Sequence, residues 1–221
     1  INQTKKILES LGSFTAEMNK AILDYEDLYI SSRVWQWDIQ HIHLNKKFIK
    51  DIESFRDRKL VNYFLQQFDE VVIPILPNLR KSIIHNDLNE WNILCNDKGV
   101  TGVIDFGDIA HTQLVNEVAI AMTYGAYDKH DPITNSSYIL SSYHKKLPLN
   151  NDEISILYYL ITAKLCMSVC NSAHSRKINP DNKYAFISEK NAWKTLKKFV
   201  KYSPRFVENK FRNCLNIESK K

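Results

Sequence analysis

The stretch SIIHNDLNEWNILCNDKGVTGVIDFGD occupies residues 82–108 of a 221-residue chain, and the rest of the sequence is read outward from it. Ser82-Ile83-Ile84 is a short strand-like run. Ile93-Leu94-Cys95 is a second, and Asn96-Asp97-Lys98-Gly99 has the composition of a tight hairpin turn. Val100 to Ile104 reads as the return strand. His85, Asp87, Asn92 and Asp105 stand at the ends of these apolar runs. A hairpin between Asn92 and Asp105 folds those two side chains back to the same end. Loops held by a rigid scaffold are where chemistry is usually placed.

On either side of this stretch the apolar period is helical. It predicts a helix after Gly12-Ser13-Phe14 through Met18, Ile22 and Leu23. Further helices are expected over Leu44–Phe55, Leu60–Phe68, Val115–Tyr124, Thr134–His144, Glu153–Ala173 and Asn182–Phe199. Trp35 and Trp37 mark a turn, and Pro74 and Pro77 interrupt the pattern. The expected fold class is α+β, mostly helical, with a small β-hairpin in the middle. Residues 1–202 are expected to form one lobe and 203–221 a tail or linker.

Composition narrows the function classes. Hydrophobic residues at 44% and charged residues at 25% describe a soluble globular protein. The net charge of +5 is spread along the chain. The lysines from 194 to 201 read as a solvated helix face rather than a nucleic-acid site. Cys95, Cys166, Cys170 and Cys214 include no Cys-x-x-Cys pair. Cys166 and Cys170 fit a buried helix face as small hydrophobes, which suits a reducing, cytoplasmic compartment. Ile154–Cys170 is interrupted by Lys164 and falls short of the roughly 20 apolar residues of a membrane span. His41 and His43 stand two apart, as ligands on one face of a strand would. No further Cys or His completes a zinc site near them.

Phosphoryl transfer from a nucleotide needs a carboxylate to orient the acceptor hydroxyl and take its proton. It also needs an amide and a second carboxylate for the magnesium ions that bridge the phosphates. Asp87 supplies the first carboxylate, Asn92 the amide and Asp105 the second carboxylate. Few protein ligands are required, because Mg²⁺ is a hard ion that keeps several waters. Asp-Phe-Gly alone is a weak signal. His-x-Asp-x₄-Asn followed by a hairpin and Ile-Asp-Phe-Gly matches the kinase signature at every catalytic position.

This stretch resembles the aminoglycoside phosphotransferase and choline kinase superfamily, which shares the protein-kinase-like fold. Protein kinases usually carry Arg where Asn86 stands, and place a long activation segment where Val115–Tyr124 already reads as helix. A small-molecule acceptor is therefore expected. Within the superfamily the sequence is most similar to hydroxylysine kinases. The likeness rests on His85-Asn86-Asp87-Leu88-Asn89, Gly102 to Asp108, Val115-Asn116-Glu117-Val118-Ala119-Ile120, Lys164-Leu165-Cys166-Met167-Ser168, Asn179 to Tyr184 and Trp193. It runs from about Trp35 to Tyr202. The end of the likeness resembles bacterial relatives in which such a kinase unit precedes a class III, pyridoxal-phosphate-dependent aminotransferase-like domain, which implies a fused or separate domain of that kind as a partner.

The resemblance implies that Asp87 is the catalytic base and that Asn92 and Asp105 are magnesium ligands. ATP or GTP would be the donor, and a hydroxylysine-like amino acid or amino alcohol the favoured acceptor. Aminoglycoside, homoserine and choline kinases are the alternatives, and a non-catalytic binding module is the alternative of another class. Asn89 stands where protein kinases usually carry a lysine, and it is expected to support the loop. Asp108 is read as a turn cap, with a second metal as the competing role. Glu117 is expected to brace the catalytic loop and His85 to pack behind it. Lys164 interrupts an apolar helix. It is a candidate for a substrate carboxylate, against pairing with a structural acid or reaching water. No Gly-rich loop precedes Asp87, so the chain is expected to hold only the C-terminal lobe. The nucleotide-covering N-terminal lobe is expected elsewhere in the same polypeptide.

Overall fold

The computed structural model describes residues 4–182 and 187–218; Lys183 and Tyr184 of the Asn179–Tyr184 motif lie outside them. Helices dominate the fold. α1 (Lys5–Ala21) starts at Thr4, whose hydroxyl accepts from Ile7 N–H. It therefore begins well before Gly12, and the expected start after that glycine is corrected. Gly12 is inside the helix because α1 lies directly on α5 (Pro132–Lys146): a Cβ at position 12 would stand 2.1 Å from the Ile139 carbonyl oxygen.

The short α2 (Leu28–Ser32) is followed by a 3₁₀ run from Ile39 to Asp51, kinked at His41. The helix expected over Leu44–Phe55 ends early because Ser54 caps a new one, accepting from Asp57 N–H at 3.2 Å. That new helix is α3 (Phe55–Val71). His41 and His43 sit on the 3₁₀ run rather than a strand. Among the described residues no three His, Cys, Asp or Glu side chains form a metal cluster.

Two antiparallel ribbons follow. β1 (Lys81–Ile84) pairs with β4 (Ala110–Gln113), a strand the sequence reading did not anticipate. β2 (Ile93–Asn96) and β3 (Gly99–Val103) form the hairpin, with Ile93 opposite Val103 and Asn96 opposite Gly99. Asn96 Oδ1 closes the turn by accepting from Lys98 N–H and Gly99 N–H.

α4 (Val115–Gly125) is buried at every position, and α7 (Leu157–Ile178) at every position but one from Leu157 to Ala173. A helix apolar on all sides belongs in the centre of a core, and these two pack against each other beneath the ribbons. The single helix expected over Glu153–Ala173 is two, α6 (Asn151–Ser155) and α7. A capping box between Asn150 and Glu153 starts the first of them. Beyond it lies α8 (Glu189–Phe199), which starts later than the expected Asn182. The segment read as a tail, 203–221, contributes α9 (Pro204–Cys214), whose Val207 and Phe211 are wholly buried against the lobe. Among the described residues no helix is long and apolar enough to cross a membrane.

Candidate active site

The hairpin register sets the site. Pairing of Ile93 with Val103 continues for one more bond, from Ile104 N–H to Asn92 O at 2.9 Å. Asn92 and Asp105 are thereby delivered to the same end of the ribbon. β1 brings His85–Asn89 to that end, and α4 and α7 form the floor.

The Asp87 carboxylate is held by three side chains. Its Oδ2 accepts from Asn89 Nδ2 at 2.7 Å and from Asn92 Nδ2 at 2.9 Å. Its Oδ1 accepts from the Tyr124 hydroxyl at 3.3 Å. Asn89 in turn accepts from Trp91 N–H and Asn92 N–H, so its amide folds the loop into an Asx turn. Asn92 spends its N–H₂ on Asp87, which leaves its Oδ1 free of protein partners among the described residues. Asp105 is exposed and adopts a left-handed backbone conformation, φ 64°.

His85 is fully buried. Its Nδ1 accepts from Asp87 N–H at 3.2 Å and its Nε2 contacts Ile104 O at 3.0 Å. Those two bonds require the neutral Nε2–H tautomer. Burial favours the same state by pushing the imidazole pKa down. The ring also meets Phe106 edge-on at 4.6 Å. His85 thus ties the His85–Asn92 loop to the return strand and is not among the described residues lining the cavity.

Glu117, on α4, is equally buried. Its Oε2 accepts from His85 N–H at 2.6 Å and its Oε1 from Asn86 N–H at 3.1 Å. Desolvation raises its pKa to about 7, against the opposing pull of those bonds. Asn86 is also left-handed, φ 69°, and its Nδ2 donates to the carbonyls of Trp37 and Asp108.

Two sequence expectations are revised by position. Lys164 is 1% exposed and does not line the cavity. Its Nζ donates to the Asn86 carbonyl at 3.4 Å and lies 5.6 Å from the Trp37 ring centroid. Its charge opposes, without overcoming, the upward pKa shifts of Asp108 and Glu117. Its hydrogen bond and ring contact lie at the back of the loop, on Asn86 and Trp37. Asp108 is not a cap either. The turn is capped by Asp105, whose Oδ1 accepts from Gly107 N–H at 3.2 Å, while Asp108 Oδ1 accepts from Trp35 Nε1 at 3.0 Å. Burial and the Asp87 charge push the Asp108 pKa up.

Asp87, Asp105 and Asp108 line a cavity of about 290 Å³. Its walls include the aromatic rings of Trp37, Trp91 and Tyr124, with Ser168 and Ser172 of α7 opposite. No lysine, arginine or histidine is among its described lining residues. Trp91, Tyr124, Ser168 and Ser172 were not identified from sequence as site residues. Trp91 lies inside the Asp87–Asn92 motif at a position the motif leaves open, and the packing of α4 and α7 brings the other three to it.

A mostly helical lobe with a small hairpin, presenting Asp87, Asn92 and Asp105 at one end, defines the C-terminal lobe of a protein-kinase-like fold. Residues 1–139 match the APH model, a phosphotransferase enzyme family. The chain belongs to that family. It is 28% identical over 214 residues to the hydroxylysine kinase of Mus musculus, covering 91% of this chain and 57% of that protein. The Bos taurus hydroxylysine kinase is 27% identical over 216 residues, with 92% and 57% covered. The chain thus spans little more than half the length of these relatives.

Solved structures confirm the fold. An amicoumacin kinase, hAmiN, in complex with AMP-PNP, Ca²⁺ and Ami superposes with a TM-score of 0.60 at 16% identity, over 89% of this chain and 60% of that one. A microcompartment-associated aminopropanol kinase gives 0.52 at 14% identity, over 96% and 64%.

Proposed function

We propose that the polypeptide containing this chain transfers the γ-phosphoryl group of ATP or GTP to the hydroxyl of a small amino-containing molecule. In this reading residues 1–202 form the catalytic and acceptor-binding lobe, and a preceding lobe of the same polypeptide covers the nucleotide. The observation that carries the reading is the Asp87 carboxylate, held in one orientation by Asn89, Asn92 and Tyr124 at the edge of an acidic cavity.

Asp87 Oδ2 is occupied by two amides. Oδ1 has one long bond and keeps a lone pair for an acceptor hydroxyl, whose proton it takes as the phosphoryl group arrives. Asn92 Oδ1 and the exposed Asp105 carboxylate are hard oxygen donors with room for other ligands. They fit Mg²⁺, with Asp108 as a neighbouring acid. Bound there, the ion would neutralise charge on the phosphates. Leu94 and Ile104 are about half exposed on one face of the hairpin, next to Asp105. They offer an apolar surface for a nucleobase.

An acidic cavity with aromatic walls favours a cationic amine. The names of the curated relatives support a hydroxylysine-like acceptor. Aminoglycoside, homoserine and choline-type acceptors are the alternatives.

The test is transfer of labelled γ-phosphate by the full-length polypeptide, with Mg²⁺, to a panel of hydroxylysine, homoserine, choline and an aminoglycoside. Asp87→Asn should lower kcat by roughly 10²–10⁴-fold with little change in acceptor KM. Full activity in that variant would refute the assignment of Asp87. Transfer to an aminoglycoside but not to hydroxylysine would replace the acceptor.

A further inference from the structure

The turn that carries Asp105 is held from outside by a segment more than seventy residues away in sequence. Arg33 Nη1 donates to Gly107 O at 2.9 Å and to Ile109 O at 3.0 Å. Between them, Asp108 O accepts from Asn86 Nδ2 at 3.1 Å. Three consecutive carbonyls are therefore taken by side-chain N–H groups from other parts of the chain. The Asp108 carboxylate is held in turn by Trp35 Nε1 at 3.0 Å. The Arg33 guanidinium lies over the Trp35 ring, 4.3 Å from its centroid.

The turn holds itself only in part, through Ile109 N–H donating to Phe106 O at 3.2 Å and the Phe106 ring set against His85. Ile104, Asp105, Phe106 and Gly107 are otherwise exposed. Asp105 is left-handed without being glycine, a state that persists only where its surroundings impose it. Its own side chain contributes one bond, from Gly107 N–H. Residues 33–35 supply three of the side-chain bonds that restrain this segment from outside.

We propose that Arg33 and Trp35 are positioning residues that hold the Asp105–Ile109 turn so that Asp105 is presented as a metal ligand. The inference rests on the reading of Asp105 given above, and it goes further by assigning a role to a segment outside the motif. Neither residue touches the metal. They act as the outer-shell partners of metal ligands do, by fixing orientation.

Electrostatics alone predicts the opposite effect. Removing a cation from beside a cation site should tighten metal binding. Positioning predicts that it weakens. The experiment is a titration of the 221-residue chain with Mn²⁺, read by the loss of the free-ion paramagnetic resonance signal, with circular dichroism as a check of fold. Asp105→Asn should abolish the binding. Arg33→Ala should weaken it by roughly 10–100-fold, the range for loss of an outer-shell partner. Arg33→Lys should recover part of that loss, and Trp35→Phe should show a smaller loss than Arg33→Ala.

Unchanged or tighter binding in a folded Arg33→Ala variant overturns the proposal. If Arg33→Ala does not fold, Trp35→Phe decides, and wild-type affinity there overturns it. Absence of Asp105-dependent binding in the wild-type chain overturns the metal reading, and this inference falls with it.

Discussion

Glu117 sets the sharpest residue-scale expectation. Its carboxylate accepts the backbone N–H groups of His85 and Asn86 while wholly buried, and burial lifts its pKa from 4.5 to about 7. A raised carboxyl pKa means that the folded protein holds a proton the unfolded chain has released. The associated stability is fully present below about pH 4.5 and is lost as pH rises through 7; a shift of this size corresponds to about 3 kcal/mol. Buried His85, with its lowered pKa, acts in the other direction by losing stability as pH falls below its ordinary 6.5. The two are separated by urea denaturation of wild type and Glu117→Gln across pH 4.5 to 7.5. The stability advantage of wild type should shrink across that window. A constant difference would show that Glu117 ionises normally. Sequence spacing made Asp87, Asn92 and Asp105 legible as one constellation, because a hairpin converts sequence distance into a shared end. Tyr124 and Trp35 reach Asp87 and Asp108 only through tertiary packing, and no spacing encodes that. Lys164 was visible as an anomaly in an apolar helix. Its partner, the carbonyl of left-handed Asn86, is 78 residues away in sequence.

Among the elements, the α1–α5 contact depends on one missing methyl group. A Cβ on Gly12 would meet the Ile139 backbone oxygen at 2.1 Å, and a backbone carbonyl cannot rotate away as a side chain would. Gly12→Ala must separate the two helices, so the gain in helix propensity is outweighed by about 1–3 kcal/mol of overpacking. For a domain of this size that is a fall in Tm of about 2–4 °C per kcal/mol, measured by calorimetry. A Tm equal to or above wild type would show that α1 can shift without cost. The same glycine explains why the start of α1 was misread. Glycine ordinarily marks the edge of a helix, and only the neighbour across the contact shows why it sits inside one. β4 was missed for a related reason. Ala110–Gln113 has no apolar alternation, and its strand character comes from its partner, Ser82 facing Thr112 and Ile83 facing His111. The helices that were legible, α4 and α5, carry their signals locally, a continuous apolar run in one and a side-chain cap in the other. That cap is Asp131, accepting from Ile133 N–H and Thr134 N–H at the start of α5.

For the whole molecule, the question is how much of a nucleotide site this lobe carries. In the proposed reading it offers oxygen ligands at Asn92 and Asp105, at one end of the hairpin, and an apolar strip at Leu94 and Ile104. It offers no described cation in the cavity wall to meet the phosphates. In a kinase-like site those charges are met by a glycine-rich loop and a strand lysine as well as by metal, and the chain spans 57% of the curated relatives it matches. Binding to this lobe alone therefore has one apolar face and the metal to draw on. The expected outcome by calorimetry in Mg²⁺ is nucleotide affinity for the 221-residue chain at least about 100-fold weaker than for the full-length polypeptide, roughly the 2.7 kcal/mol that two lost charge-assisted phosphate contacts would supply. Leu94→Ala should weaken both, since the strip is common to them. Equal affinity in the two proteins would mean that this lobe holds the nucleotide unaided, and the proposal of a covering lobe would have to be withdrawn.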